Sequence, residues 1–230
     1  THKKNFFNSL IKIGSPGLIG GIILAGGYAG YVFAMYNTTV TNANFIIQTQ
    51  TIFLALFGYI FLREKISKLT LISIILAISG ITLMLGGSLT AGQMVGNIAA
   101  FLMPISFAVL ILIVRKFPDI DMVPLQLIAG LGAMTLGYFF SSKIIVSSHD
   151  IILGFVAGFF QVGLGFILIT IGARKTPSAL VGIIMLTEAV LGPLWAWIFI
   201  NENPPLVVLF GGSIILFAVF LQFFNRKIEN

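Results

Sequence analysis

The 230-residue chain contains no cysteine. That excludes a disulfide framework and any metal site built on thiolates. Its two histidines, His2 and His149, stand alone in predicted loops and form no ligand cluster, so no metal or other cofactor is expected. Charge is scarce at 9% of residues. A soluble domain of this length needs far more polar surface than that, so water is not the main solvent around this chain. No glycine-rich phosphate loop ending in Lys-Ser or Lys-Thr occurs, which removes ATP as a direct energy source within the chain.

What the chain does have is apolar length: 58% of its residues are hydrophobic and its mean hydropathy is +1.07. A bilayer core of roughly 30 Å takes about 20 apolar residues in a helix. Turn and charge signals divide the chain into eight such pieces: span 1, 17–36; span 2, 43–62; span 3, 69–86; span 4, 93–114; span 5, 122–140; span 6, 151–171; span 7, 178–200; span 8, 205–224. Ser15-Pro16-Gly17 opens span 1, Gly86-Gly87-Ser88 closes span 3, and Phe117-Pro118-Asp119 parts spans 4 and 5. Connections are short, so consecutive spans are expected to be antiparallel neighbours. The fold class read from this pattern is all-α, a polytopic membrane protein.

The net charge of +6 is not a nucleic-acid footprint, because the basic residues are sorted by alternate loops. Lys3, Lys4, Lys12, Arg63, Lys65, Lys68, Arg115, Lys116, Arg174, Lys175, Arg226 and Lys227 fall on one side, which is 12 of 13. Lys143 alone falls on the other. The positive-inside rule makes the first side cytoplasmic and places both ends of the chain there, in a plasma-membrane protein.

Residues 38–64 repeat as 176–202 at an offset of 138. Thr38, Ile46, Thr49, Leu56, Ile60, Phe61 and Glu64 meet Thr176, Ile184, Thr187, Leu194, Ile198, Phe199 and Glu202, and Gln50 meets Glu188. Past the glutamates the offset is 140, and Ser73-Ile74-Ile75-Leu76 meets Ser213-Ile214-Ile215-Leu216. Spans 1–3 therefore repeat as spans 6–8. A shift of five spans is odd, so the copies are inverted in the membrane, as in many secondary transporters. The expected division is 1–90, a first copy of three helices, and 91–230, a second copy of five. Three against five, with Thr1 rather than Met in first place, predicts two further spans upstream.

The segments Phe57-Gly58-Tyr59-Ile60-Phe61-Leu62-Arg63-Glu64 and Trp195-Ala196-Trp197-Ile198-Phe199-Ile200-Asn201-Glu202 resemble a family motif, a hydrophobic run ending in Gly-Glu. On these, and on the glycine-bearing helix after each, the chain is similar to the drug/metabolite transporter superfamily, in its ten-helix branch of two EamA-type units. The resemblance covers essentially the whole chain, as family helices three to ten. It implies transport of small solutes such as amino acids or phosphorylated metabolites. In two places the chain departs from it: the family glycine is Arg63 and Asn201, and a proline common early in family helices four and nine is absent at Thr51 and Ala189.

Glu188 is the only ionisable residue well inside a span. A charge at that depth is expensive and usually faces a cavity or partner. Two readings stand: a carboxylate that binds solute or a proton, or an acid tying span 7 to a neighbour. Asn44 and Gln48 share a face of span 2, Gln161 sits in mid-span 6, and Asn97 lies in span 4. Each is a candidate for a polar pathway or for interhelical hydrogen bonding, worth only about 0.6 kcal/mol on average. Tyr28 and Tyr31 of span 1 either touch solute or pack. Trp195 and Trp197 fit an interfacial aromatic belt, Glu64 and Glu202 a structural role at the turn into the next span. Gly17/Gly21, Gly26/Gly30 and Gly154/Gly158 have the spacing of close helix packing.

These features converge on a secondary transporter for a small polar metabolite, amino acid-like or related, working by alternating access, in export or exchange, with proton coupling as one option. Its partners are then a small-molecule substrate and the lipid bilayer. The alternatives are a non-transporting membrane scaffold, which needs no inverted architecture, and an intramembrane enzyme, which needs clustered acids, bases or ligands that the spans lack.

Overall fold

The computed structural model describes residues 6–85, 94–141, 147–201, 203 and 205–229. Among these no strand forms; every element is a helix. A short helix, Phe6–Lys12, leads through Gly14 at φ +57° into span 1, Gly14–Asn37. Span 2 is two helices, Val40–Gln48 and Gln50–Leu62. Span 3 is Lys68–Leu85. Span 4 is Met94–Ala100 and Leu102–Lys116. Span 5 is Leu125–Phe140. Span 6 runs from Ser148–Val156 through a π-helical segment, Ala157–Leu164, to Gly165–Ala173. Span 7 is Ser178–Met185 and Thr187–Ile200, and span 8 is Leu206–Glu229.

The eight expected spans are thus the eight observed ones. Span 5 starts later than the sequence suggests, because the Asp121 carboxylate accepts from the Val123 N–H and Pro124 holds the residue before the helix. Large apolar side chains point outward all round, among them Phe33, Ile60, Phe61, Ile75 and Phe139. Helices satisfy their own backbone polar groups, so such a surface is stable against hydrocarbon and not against water.

Three packings organise the bundle. Span 3 lies along span 8, span 2 crosses span 7, and span 1 is held between spans 4 and 5. Each of the first two joins a helix of the first copy to its repeat mate. Small residues set the distances. A Cβ added to Gly80 of span 3 would sit 2.7 Å from the Gly211 carbonyl oxygen of span 8. One added to Gly27 would meet the Ser106 side chain at 2.6 Å. The spacing rule picks the seam imperfectly: nothing approaches Gly26, Gly154 or Gly158, whereas Gly20, Gly27 and Gly80 are in contact. The main buried cluster, with Leu54, Phe107, Leu110, Ile111, Val114, Leu125 and Val181, lies toward the end where spans 2 and 4 finish and spans 5 and 7 begin.

Candidate functional site

Spans 2 and 7 break within one residue of the same register, at Thr49 and Leu186. Thr49 donates from Oγ1 to the Ile46 carbonyl at 2.5 Å, and Thr187 donates to the Ile184 carbonyl at 2.7 Å. Each break ends one helix and starts another, which creates a second helix N-terminus in mid-span. Glu188 stands in the first turn of Thr187–Ile200, where the positive end of the helix favours a carboxylate. Its repeat mate Gln50 opens the corresponding half-helix, Gln50–Leu62, and is buried.

Glu188 itself is exposed, and the Tyr31 hydroxyl of span 1 is within its electrostatic reach. No cation pairs with it among the described residues; the two ion pairs found there are both at the other end of the bundle. Tyr28, one turn before Tyr31, packs edge-on to Phe166 at 5.4 Å between ring centres, and Phe166 packs edge-on to Phe107 at 5.8 Å. Gln161 lies in the π-helical segment and is exposed. Asn44 is half-buried. Gln48 is half-buried beside a small cavity lined by Phe45, Thr49, Ile52, Ile78, Ile81 and Leu186, and its amide oxygen is enclosed without a hydrogen-bond partner. Asn97 accepts from Thr38 Oγ1 at 2.6 Å and from Asn42 Nδ2 at 3.3 Å, tying the turn between spans 1 and 2 to span 4. Tyr31 and Glu188 thus lie within electrostatic reach of each other, while Gln48 borders a cavity shared by spans 2, 3 and 7 and Asn97 lies toward the opening of span 2.

Residues 1–86 and 90–224 match the sequence profile of the EamA-like transporter family. The chain belongs to that family. This EamA-like protein is 24% identical over 208 residues to an uncharacterized transporter of Methanothermobacter thermautotrophicus (strain Delta H), covering 86% of the chain. The chain spans 60% of that relative's length. A solved crystal structure, whose description names no activity, matches with TM-score 0.71 at 14% identity, over 97% of this chain and 93% of the other. At that identity the likeness shows the fold alone. Family and fold together make this EamA-like chain an integral membrane protein.

Sequence reasoning passed over several polar residues that the EamA-like chain brings together. Thr38 and Asn42 meet Asn97 at one end of the bundle. At the other, Glu64 pairs with Arg115, and Arg174 with Asp121. Arg115 and Arg174 were counted only as markers of a membrane face. The legible signal was that each has an acid on its own face. Glu64 bonds across spans rather than within its own turn; Glu202 lies outside the described residues.

Proposed function

We propose that the protein is a secondary transporter that moves a small polar metabolite of amino-acid type across the cytoplasmic membrane by alternating access, in export or exchange. The observation that carries this reading is the placement of Glu188: a carboxylate at a helix start inside a broken span, with no ion-pair partner among the described residues and the Tyr31 hydroxyl within electrostatic reach. Broken spans whose half-helix ends meet solute or ion are a transporter device, because only irregular backbone bordering a pathway escapes the membrane's demand for paired polar groups. In this reading the copies are 1–90 and 91–230, and spans 1, 2, 4, 6 and 7 line the pathway with spans 3 and 8 outside it. Glu188 takes up a proton or an amine of the solute. The sorting of 12 of the 13 basic residues to one face puts that face, and both chain ends, in the cytoplasm.

The test is counterflow in proteoliposomes loaded with pools of amino acids and related metabolites, using the full-length protein. Saturable exchange of one class supports the proposal. Absence of exchange for every pool, in protein that is folded and oriented, would leave a scaffold as the better account.

A further inference from the structure

Where spans 2, 4 and 6 end and spans 5 and 7 begin, a polar cluster stands apart from Glu188 and Tyr31. Glu64 lies just past span 2, and its carboxylate takes three kinds of bond from residues beyond position 90. Arg115, at the end of span 4, approaches Oε1 with Nη2 at 2.5 Å and donates to it from Nε at 2.7 Å. The Ser178 backbone N–H donates to Oε2 at 2.8 Å, and its hydroxyl reaches Oε1 at 3.3 Å. Arg115 also donates to the Arg174 carbonyl at 3.5 Å, and Arg174 pairs with Asp121. Both side chains of the Glu64–Arg115 pair are mostly withdrawn from solvent.

The bond to Ser178 has a consequence for span 7. That helix begins after Pro177, which has no side-chain oxygen and makes no cap. Helix starts leave N–H groups needing an acceptor. Span 7 obtains its acceptor from span 2, so its start is satisfied only while the ends of the two spans touch. The start of the other broken span differs: span 2 is capped by its own Thr39, which accepts from the Asn42 N–H. Next to the Glu64 cluster the bundle is filled by Leu54, Leu110, Val114, Ala173 and Val181. The opposite end is tied by the neutral bonds of Asn97.

We infer that Glu64, Arg115 and the Ser178 end of span 7 form the cytoplasmic gate of the pathway. This rests on the alternating-access reading above. With the bonds made, the apolar plug is held shut on this side. Opening inward separates spans 2 and 7, and Glu64 then loses Arg115 and the Ser178 N–H together. Charge-assisted bonds are directional enough to define the closed state. Each is modest in net terms, because water replaces it when the spans part, so it can break in every cycle.

These 230 residues have no cysteine, so a cysteine introduced at Val181 of the full-length protein, with any cysteine outside them replaced, is a reporter within the plug. A membrane-impermeant maleimide is applied from the cytoplasmic face in inverted vesicles, with no substrate present. Loss of a charge-assisted bond shifts an open–closed balance by about tenfold or more. Labelling at position 181 is therefore expected to rise by about that factor in Glu64→Gln and in Arg115→Gln, and to fall again in the exchange Glu64→Arg with Arg115→Glu. Arg115→Gln carries the test if Glu64→Gln does not fold. Unchanged labelling together with a lowered unfolding temperature makes the cluster a structural staple and overturns the gate. Because labelling needs no solute, raised labelling in a protein that fails every counterflow assay would instead overturn the transport reading beneath it.

Discussion

Arg63 and Asn201, 138 positions apart, close their helices in the same left-handed conformation, at φ 55° and 57°. Both occupy the place where the family motif has glycine. The Glu64 N–H behind Arg63 turns back to the Gly58 carbonyl at 3.0 Å, so the conformation is needed to finish span 2 and aim Glu64 at span 7. A left-handed residue with a side chain costs roughly 1–2 kcal/mol, less for Asn. Arg63 is also exposed, so little packing is at stake.

We therefore predict that Arg63→Gly raises stability by about 1 kcal/mol, after glycine's own entropy cost is set against the relieved strain. Asn201→Gly should gain less. Thermal unfolding in detergent reads both. A lower melting temperature for Arg63→Gly would show that its side chain supports the membrane face by more than the strain it imposes.

The spans were legible because composition and basic-residue sorting are averages over many positions, and few substitutions disturb them. The breaks at Thr49 and Leu186 were not. Apolar sequence runs straight through them, and the geometry that makes the break is one threonine hydroxyl bonded to a carbonyl three residues back. Of the candidate site, Glu188 and the tyrosines stood out as polar groups in apolar spans. That Tyr31 comes within electrostatic reach of Glu188 depends on the rotation of span 1, which a near-uniformly apolar helix does not encode. The Glu64 cluster was hidden for another reason: its basic members already had an explanation as topology signals.

Gly80 and Gly26 make a contrasting pair. Gly80 faces the Gly211 backbone, which cannot move aside without displacing span 8, whereas nothing lies within 4 Å of a Cβ at Gly26. Gly80→Val is expected to destabilise by about 1–3 kcal/mol through forced separation of spans 3 and 8. Gly26→Ala should be neutral or stabilising by up to about 1 kcal/mol, since alanine is the better helix former. Equal melting temperatures for the two variants would mean that spans 3 and 8 are not closely packed in the membrane.

Span 6 repeats span 1, yet span 1 is covered by spans 4 and 5 while residues 148–162 of span 6 are exposed throughout, Phe155, Phe159 and Phe160 included. Inverted symmetry calls for two helices on that face, and the chain spans 60% of its curated relative's length. We predict that a longer form of the protein supplies them from its N-terminal side. A cysteine at Phe159 should react with a lipid-soluble maleimide in the 230-residue chain and be protected in the longer form. Equal reaction in both would make this face a lipid contact.

The last prediction concerns Glu188. An ionised carboxylate at mid-membrane depth is costly unless something compensates it. The lysines and arginines of the observed spans, Lys68, Arg115, Lys116, Arg226 and Lys227, lie at the span ends, and among the described residues the basic side chains that pair with acids are at the end of the bundle where spans 4 and 6 finish. What Glu188 does have is a helix start behind it and Tyr31 beside it. The helix start lowers the cost of negative charge by about 0.3–1 kcal/mol, which does not replace a counter-ion. On the proposed transport reading, the positive charge arrives from outside, as a proton or as the amine of a solute. Glu188→Gln keeps the size and hydrogen bonding of the side chain and removes its titration. In full-length protein in proteoliposomes, the variant should transport with a flattened pH dependence if protons couple there, and should lose amine-bearing solutes selectively if it binds them. Tyr31→Phe, which removes only a hydroxyl within electrostatic reach of Glu188, should weaken the same transport more mildly. If Glu188→Gln moves every tested solute at the unmodified rate and with the unmodified pH profile, Glu188 is an interhelical tie, and the coupling group has to be sought outside the spans of this chain.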